Sequence, residues 1–190
     1  MVPVNVPNVL TVLRILAVPV LVVALLDGTP NGDLLAAVVF SVASLTDAVD
    51  GYLARSRDWV TNFGKLMDPI ADKLLIIAAL VALLSLDRLA AWVAMVIIAR
   101  EFAVTAMRMA AVQQGVVIPA GNFGKAKTIM QVAAIFALIA AGEGSPLWVD
   151  AFVYTAVAVT VLSGLDFAFG IRRKVNEARE AREARVLDAG

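Results

Sequence analysis

The chain has 190 residues, of which 61% are hydrophobic and 17% are charged, and its mean hydropathy is +0.87. An average soluble domain carries roughly a quarter charged residues, and one core of this size cannot hide so much apolar surface, so the composition excludes an ordinary soluble enzyme. Sixteen basic residues balance sixteen acidic ones, which argues against a nucleic-acid partner, and the absence of Cys and His excludes thiol chemistry and the metal sites built from those ligands.

Six apolar stretches follow one another along the chain, separated by polar breaks. A helix needs roughly 20 residues to cross the hydrocarbon core at 1.5 Å per residue. The stretches lie at residues 9–26, 34–54, 68–86, 89–114, 124–141 and 147–170. They predict an all-α integral membrane protein with six transmembrane helices in residues 1–170, followed at 171–190 by a charged cytosolic tail whose Arg, Glu and Ala pattern favours a solvated or surface-lying helix.

The basic residues are distributed unequally between the two sides of these stretches. The breaks after the first, third and fifth stretches contain Arg88 as their only cation, whereas the other connections and helix ends carry most of the Lys and Arg. By the positive-inside rule, we expect both termini and the loops after residues 54 and 114 to face the cytosol, in a protein of the cytoplasmic membrane.

Ionisable residues interrupt the apolar stretches, where each costs at least about 2.5 kcal/mol at the bilayer centre. They are Arg14, Asp47, Asp50, Asp68, Asp72, Arg100, Glu101, Arg108 and Asp166. Asp47 and Asp50 share one face of the second predicted helix, and the other two aspartates, four residues apart, share one face of the third. Asp68 alone could be a helix N-cap before Pro69, but four carboxylates in register on neighbouring helices predict a polar site.

Four converging carboxylates repel one another unless divalent cations lie between them. Oxygen ligands without His or Cys indicate Mg²⁺ or Mn²⁺ rather than zinc. A pair of such ions is a recurring solution for displacement at phosphorus. We therefore expect two divalent ions per site.

The residues between the aspartates follow the pattern D-x2-D-G-x2-A-R-x8-G-x3-D-x3-D, from Asp47 to Asp72. With every fixed position filled, this pattern resembles the signature of the CDP-alcohol phosphatidyltransferase family. The resemblance implies six membrane helices, a site that faces the cytosol, a homodimer, and transfer of a phosphatidyl group from a CDP-linked lipid to an alcohol with release of CMP.

The resemblance also implies roles for individual residues. Asp72 is expected to be the general base that takes the proton of the attacking hydroxyl. The metal ligands implied are Asp47, Asp50, Asp68 and Asp72. The residues expected to bind the CDP-lipid are Gly51 and Ala54, whose small size admits the nucleotide, Arg55, which offers a planar fork to the diphosphate, and Asn8 and Thr11.

Three further segments, residues 5–14, 99–108 and 124–131, resemble the branch of the family that uses sn-glycerol 3-phosphate as the acceptor and CDP-diacylglycerol as the donor, giving phosphatidylglycerophosphate. An acceptor that bears a phosphate needs cations outside the metal site, because carboxylates cannot hold it. The candidates are Arg100, Arg108, Lys125 and Lys127. These cations are also compatible with a role in setting topology alone.

Four other functions remain open at this point. A cardiolipin synthase or an enzyme that uses inositol phosphate would share the signature. A membrane prenyltransferase also binds a diphosphate through Asp-rich helices, but the small residues and the arginine inside the pattern argue against it. A cation transporter would spread its carboxylates through the membrane depth, whereas these four lie toward one side.

Overall fold

The computed structural model of the chain describes residues 6–56, 62–116 and 122–188, with side chains except at residues 7, 48–56, 62–66, 122, 178–179 and 181–188. In these ranges the chain forms six α-helices and no strand. The helices are α1 (Val6–Leu26), α2 (Gly32–Ser56), α3 (Asn62–Ser85), α4 (Ala91–Gln113), α5 (Asn122–Ala141) and α6 (Leu147–Asp188). The prediction of an all-α chain is confirmed.

Each predicted stretch corresponds to one helix, and two helices are longer than expected. α3 begins at Asn62 rather than at residue 68, and α6 continues through the tail to Asp188. Residues 171–188 contain neither Gly nor Pro and are rich in Ala, Glu and Arg, which have high helix propensity. The helix therefore passes residue 170 without a break, and the division there into a membrane domain and a tail stays a prediction.

Within the part of the chain that the structure describes, three helices are apolar and long enough to cross a membrane, and they supply the segments Asn8–Leu26, Phe123–Ala141 and Leu147–Glu177. α3 and α4 do not meet this condition because each carries three ionisable residues among its described side chains. These are Asp68, Asp72 and Lys73 in α3, and Arg100, Glu101 and Arg108 in α4. In α2 the described side chains end at residue 47, which leaves fewer residues than a span requires.

The described residues form two compact units, and the first comprises Met1–Ala94 with Val132–Val153. In this unit α1 packs against both α2 and α3. Its core contains large side chains such as Leu21, Phe40 and Leu75, with Ala36 and Ala79 fully buried between them. Small residues let helices approach closely, which is the usual way for membrane helices to associate.

Polar contacts join the ends of helices in the first unit. The Arg88 guanidinium, in the turn after α3, forms an ion pair with Asp33 in the first turn of α2, with Nη1 2.5 Å from Oδ1. Gly142, in the turn after α5, has a φ of +65°, and a Cβ there would lie 3.0 Å from Asp33 Oδ2. Asp33 thus lies beside two turns that are distant in sequence.

The second unit comprises Met95–Gln131 with Tyr154–Gly190. Its buried side chains include Ile97 and Val104 of α4 and Val157 of α6, together with the polar residues Gln131 and Ser163. Polar groups buried in an apolar environment are normally hydrogen-bonded, and the Ser163 hydroxyl accepts a hydrogen bond from Arg100 of α4.

Large apolar side chains point outward along the helices. Examples are Leu16 and Val23 on α1, Leu45 on α2, Met95 on α4 and Ile129 on α5, all more than half exposed. An exposed apolar surface of this extent in a soluble protein would be unfavourable, whereas against lipid tails it is stable. The chain is a membrane protein.

Candidate functional site

Three of the four signature aspartates have described side chains, and all three are half-buried in the first unit. Asp47 lies nine residues before the end of α2, and Asp68 and Asp72 lie one turn apart in α3. The side chain of Asp50 lies outside the described residues. Among the side chains that are described, no group of three carboxylates is close enough to hold one metal ion.

The N-cap interpretation of Asp68 is wrong. α3 begins at Asn62, so Asp68 and Pro69 lie inside the helix rather than at its start. Pro69 has no N–H to donate to the carbonyl four residues earlier, and its ring disfavours a regular helical turn there. α3 therefore includes the turn that carries Asp68, although Pro69 disfavours a regular helix there.

A buried arginine of α1 contacts Asp47. Arg14 Nη1 lies 2.8 Å from Asp47 Oδ1, and the exposed fractions of the two side chains are 0% and 37%. Arg14 Nε also donates a hydrogen bond to the carbonyl oxygen of Ala43, one turn earlier in α2, at 3.3 Å. The guanidinium therefore contacts both the backbone and the carboxylate of α2 at the place where the signature begins.

A buried threonine of α1 contacts Asp68. The Thr11 hydroxyl donates a hydrogen bond to Asp68 Oδ1 at 2.6 Å, and Thr11 is fully buried. Asn8, a further turn toward the N-terminus, is also buried. Residues at this spacing lie on one side of a helix, so α1 presents a polar strip to α2 and α3.

Sequence reasoning did not find these two contacts. It placed Thr11 among the residues that bind the CDP-lipid and named Arg14 only among the ionisable residues that interrupt the apolar stretches. The spacing of Asn8, Thr11 and Arg14 was the available signal, because it puts three polar side chains on one side of an otherwise apolar helix. Which helices that side would meet could not be deduced from spacing.

The described donors have the chemistry that Mg²⁺ or Mn²⁺ requires. Asp47, Asp68 and Asp72 supply hard carboxylate oxygens, and the chain contains neither Cys nor His. A carboxylate has about four lone-pair directions, so a single contact such as that of Arg14 or Thr11 does not exhaust it. The half-exposed position of these aspartates also leaves them accessible to a ligand. The residues present therefore fit a divalent ion.

The second unit contains a buried cluster of charges around Glu101. Glu101 Oε1 accepts hydrogen bonds from Lys127 Nζ and from Arg100 Nη1, which lies at 3.3 Å. Arg100 Nη2 also donates to the Ser163 hydroxyl at 2.6 Å, and the arginine side chain packs on Gly164 of α6. Glu101 and Ser163 were not predicted as site residues, and they join α4 to α5 and α6.

The four cations predicted to bind the acceptor phosphate differ in their surroundings. Arg100 and Lys127 both contact Glu101, and Lys127 is buried. Arg108 and Lys125 are exposed, and the Arg108 guanidinium lies 5.2 Å from the ring centre of Phe167, a distance typical of a cation–π contact. Of the predicted lipid-binding residues, Gly51, Ala54 and Arg55 belong to α2 at positions where side chains are not described.

Comparison with known proteins decides between the families considered. The model of the CDP-alcohol phosphatidyltransferase family matches residues 4–162, which cover all six helices at least in part. The chain belongs to this family. The family assignment replaces the prenyltransferase and transporter alternatives, and it extends the resemblance of the signature to most of the chain.

Curated members of the family from several bacteria are similar along most of their length. The CDP-diacylglycerol–glycerol-3-phosphate 3-phosphatidyltransferase of Bacillus subtilis (strain 168) is 40% identical over 179 residues, which cover 86% of this chain and 93% of that protein. The "Probable phosphatidylglycerophosphate synthase" of Mycobacterium tuberculosis (strain CDC 1551 / Oshkosh) is 40% identical over 181 residues, covering 93% and 86%. A Rickettsia bellii (strain RML369-C) protein with the same name as the Bacillus one is 35% identical over 168 residues, covering 86% and 93%.

Proposed function

We propose that this protein transfers a phosphatidyl group from CDP-diacylglycerol to sn-glycerol 3-phosphate, producing phosphatidylglycerophosphate and CMP. The observation that carries the proposal is the joint presence of the complete signature and of relatives at 35–40% identity whose names specify this reaction. The similarity includes the segments that carry the predicted acceptor cations, which favours this branch over cardiolipin and inositol phosphate enzymes.

The chemistry is a displacement at the phosphorus that carries the diacylglycerol. The acceptor hydroxyl oxygen forms a bond to this phosphorus, the phosphoanhydride bond to CMP breaks, and Asp72 takes the hydroxyl proton. Asp72 is suited to this role because it is a half-exposed carboxylate on α3, one turn from Asp68. A general base of this kind contributes typically 10²- to 10⁴-fold to the rate.

The remaining signature residues bind and orient the donor. Asp47, Asp50, Asp68 and Asp72 are the residues that would hold two divalent ions, which would neutralise the diphosphate and stabilise the departing CMP. Gly51 and Ala54 admit the nucleotide, and Arg55 contacts the diphosphate. Asn8 and Thr11, at the end of α1, are the other predicted contributors to the CDP-lipid site.

The acceptor phosphate is bound by cationic side chains. Arg108 and Lys125 are the best suited, since they are exposed, whereas Arg100 and Lys127 already contact the Glu101 carboxylate. A guanidinium or ammonium on a phosphate forms charge-assisted hydrogen bonds, which are about twice as strong as neutral ones. In this arrangement Glu101 holds Arg100 and Lys127 in place, and the exposed pair contacts the substrate.

In the membrane, we propose that all six helices cross the bilayer, with both termini and the catalytic site on the cytosolic side of the cytoplasmic membrane. The support is the paucity of cations in three alternate turns, together with a positive cluster at residues 172–174. Arg88, the exception to this distribution, is paired with Asp33, which reduces its effect as a topology signal. The homodimer implied by the family resemblance is part of the same proposal.

The test is an assay of the purified protein in lipid nanodiscs with CDP-diacylglycerol, Mg²⁺ and a panel of acceptors, following CMP release and the lipid product. Glycerol 3-phosphate is expected to support the fastest release. Faster release with inositol phosphate or with phosphatidylglycerol would overturn the acceptor assignment. No CMP release with any acceptor would overturn the phosphatidyltransferase assignment.

A further inference from the structure

Two aspartates of the signature lie on different helices, and each is contacted by the same third helix. Arg14 of α1 forms an ion pair with Asp47 of α2, and Thr11 of α1 donates a hydrogen bond to Asp68 of α3. The two α1 residues are three positions apart, so their side chains leave the same side of the helix about one turn apart. The distance between the Asp47 and Asp68 carboxylates therefore depends on one regular helix, α1.

These two contacts have features that surface contacts lack. Arg14 and Thr11 are fully buried, whereas the aspartates are half-buried. A buried guanidinium is expensive unless it is paired and hydrogen-bonded, and Arg14 meets this condition on α2 through its ion pair with Asp47 and the hydrogen bond that Nε donates to the Ala43 carbonyl. Such a side chain has little freedom to move, so it fixes the carboxylate that it contacts.

We infer that α1 positions the metal-binding carboxylates, with Arg14 orienting Asp47 and Thr11 orienting Asp68, and that neither α1 side chain needs to touch the substrate. The inference rests on the proposed function through the metal-ligand role of the two aspartates. A carboxylate held by a second residue binds a metal without first losing its rotational freedom. Outer residues of this kind typically change metal affinity by 10- to 100-fold when they are removed.

The inference assigns Thr11 a role different from direct contact with the CDP-lipid. If the hydroxyl serves Asp68, its loss lowers metal affinity even when no lipid is present. If the hydroxyl serves the lipid, its loss changes the Michaelis constant for CDP-diacylglycerol and leaves metal affinity unaltered. The two roles are therefore separable by measuring metal binding alone.

The experiment measures Mn²⁺ binding to the full-length protein in lipid nanodiscs by electron paramagnetic resonance of the free ion, without lipid substrate. Thr11→Val keeps the shape of the side chain and removes the hydroxyl, and Thr11→Ser restores a hydroxyl. We expect Thr11→Val to weaken Mn²⁺ binding by about 10- to 100-fold and Thr11→Ser to stay within about threefold of the wild type. Unchanged Mn²⁺ affinity in Thr11→Val would overturn the inference.

The chain offers a matched control in Thr160. Thr160 of α6 is also fully buried, and its hydroxyl has no hydrogen-bond partner among the described residues. Thr160→Val makes the same chemical change without affecting a carboxylate, so Mn²⁺ affinity should not change. An equal loss of affinity in Thr160→Val and Thr11→Val would show a general packing effect and would also overturn the inference.

Arg14 is tested with two variants. Arg14→Lys keeps the charge but lacks the planar guanidinium that contacts both Asp47 and the Ala43 carbonyl. Arg14→Met removes the charge and keeps a side chain of similar length. Mn²⁺ affinity should fall less in Arg14→Lys than in Arg14→Met, with unfolding temperatures recorded in parallel. If both variants fold and bind Mn²⁺ as tightly as the wild type, the role of Arg14 is contradicted. If either variant fails to fold, the Thr11 series decides the inference.

The wild-type protein in the same preparation separates this inference from the proposed function. If the wild-type protein has phosphatidyltransferase activity and Thr11→Val binds Mn²⁺ as tightly as the wild type, only the inference is refuted. If Thr11→Val binds Mn²⁺ more weakly but the wild-type protein has no transferase activity, only the proposed reaction is refuted. A wild-type protein that binds no Mn²⁺ refutes the metal-ligand role and the inference together.

Discussion

At the level of single residues, the signature aspartates have different environments although they share one chemical type. Asp47 is the counter-ion of a buried arginine, Asp68 accepts from a buried hydroxyl, and Asp72 lies one turn further along α3. Asp47 therefore contributes to the stability of the helix packing as well as to the proposed metal site. A substitution at Asp47 should therefore affect stability as well as activity.

Asp72→Asn should reduce turnover of CDP-diacylglycerol by at least about 10²-fold, because it removes the proposed base. Its unfolding temperature is recorded in parallel, so that lost turnover can be distinguished from lost folding. CMP release and thermal unfolding in detergent measure the two quantities. Asp150→Asn, at a carboxylate that accepts from Ser145 and lies outside the signature, is the control and should retain activity.

Asp47→Asn should lose activity to a similar extent and should also unfold at a lower temperature than the wild type. The substitution leaves Arg14 buried beside a neutral amide, and removing one partner of a buried ion pair is destabilising because the other charge stays buried. An unfolding temperature equal to that of the wild type would show that the ion pair makes no net contribution to stability.

The exposed cations of the second unit lead to a kinetic prediction. Arg108→Ala or Lys125→Ala should lower kcat/KM for glycerol 3-phosphate by roughly 10- to 150-fold, which corresponds to the loss of one charge-assisted hydrogen bond. The Michaelis constant for CDP-diacylglycerol should change far less. Arg173→Ala removes an exposed cation whose ion pair is with Glu177 in the tail, and it should leave both values unaltered.

At the level of elements, Asp33 lies beside two turns of the first unit, through its ion pair with Arg88 and its proximity to Gly142. Gly142 and Gly144 both have positive φ, +65° and +76°, so alanine is strained at either position. Only at Gly142 does the added Cβ meet Asp33 Oδ2, at 3.0 Å, while nothing lies within 4 Å at Gly144. Gly142→Ala should therefore lower the unfolding temperature more than Gly144→Ala, and Asp33→Ala should remove this difference between the two.

The helices themselves were largely predictable, because long apolar runs and polar breaks determine where a chain can cross lipid. The start of α3 was not predictable, because an Asp-Pro pair such as Asp68-Pro69 is typical of a helix start, whereas here it lies inside the helix. The spacing of the aspartates predicts one shared face on each of two helices, and the structure describes both aspartate side chains only in α3, where Asp68 and Asp72 lie one turn apart. The contacts of Thr11 and Arg14 could not be predicted, since they depend on how α1 packs against α2 and α3 rather than on spacing within any one helix.

At the level of the whole molecule, the proposed topology places the turns after α1, α3 and α5 outside the cytosol. The chain has no native cysteine, so single cysteines can be introduced at exposed positions without background labelling. Cysteines at Thr29 and Glu143 should react with an impermeant maleimide added to intact cells, and a cysteine at Gln113 should react only after lysis. Labelling of Thr29 or Glu143 only after lysis would contradict the topology.

The pairing of Arg14 with Asp47 has a consequence for how the protein is made. Asp47 follows Arg14 by 33 residues, so at about 5–20 residues per second the ribosome delivers the arginine some seconds before its counter-ion. During that interval an isolated α1 in lipid would carry an unpaired charge that costs at least about 2.5 kcal/mol at mid-bilayer. If both helices span the bilayer as proposed, stable insertion of α1 is favoured only once α2 has emerged, and we expect the two to enter the membrane as a hairpin rather than one after the other.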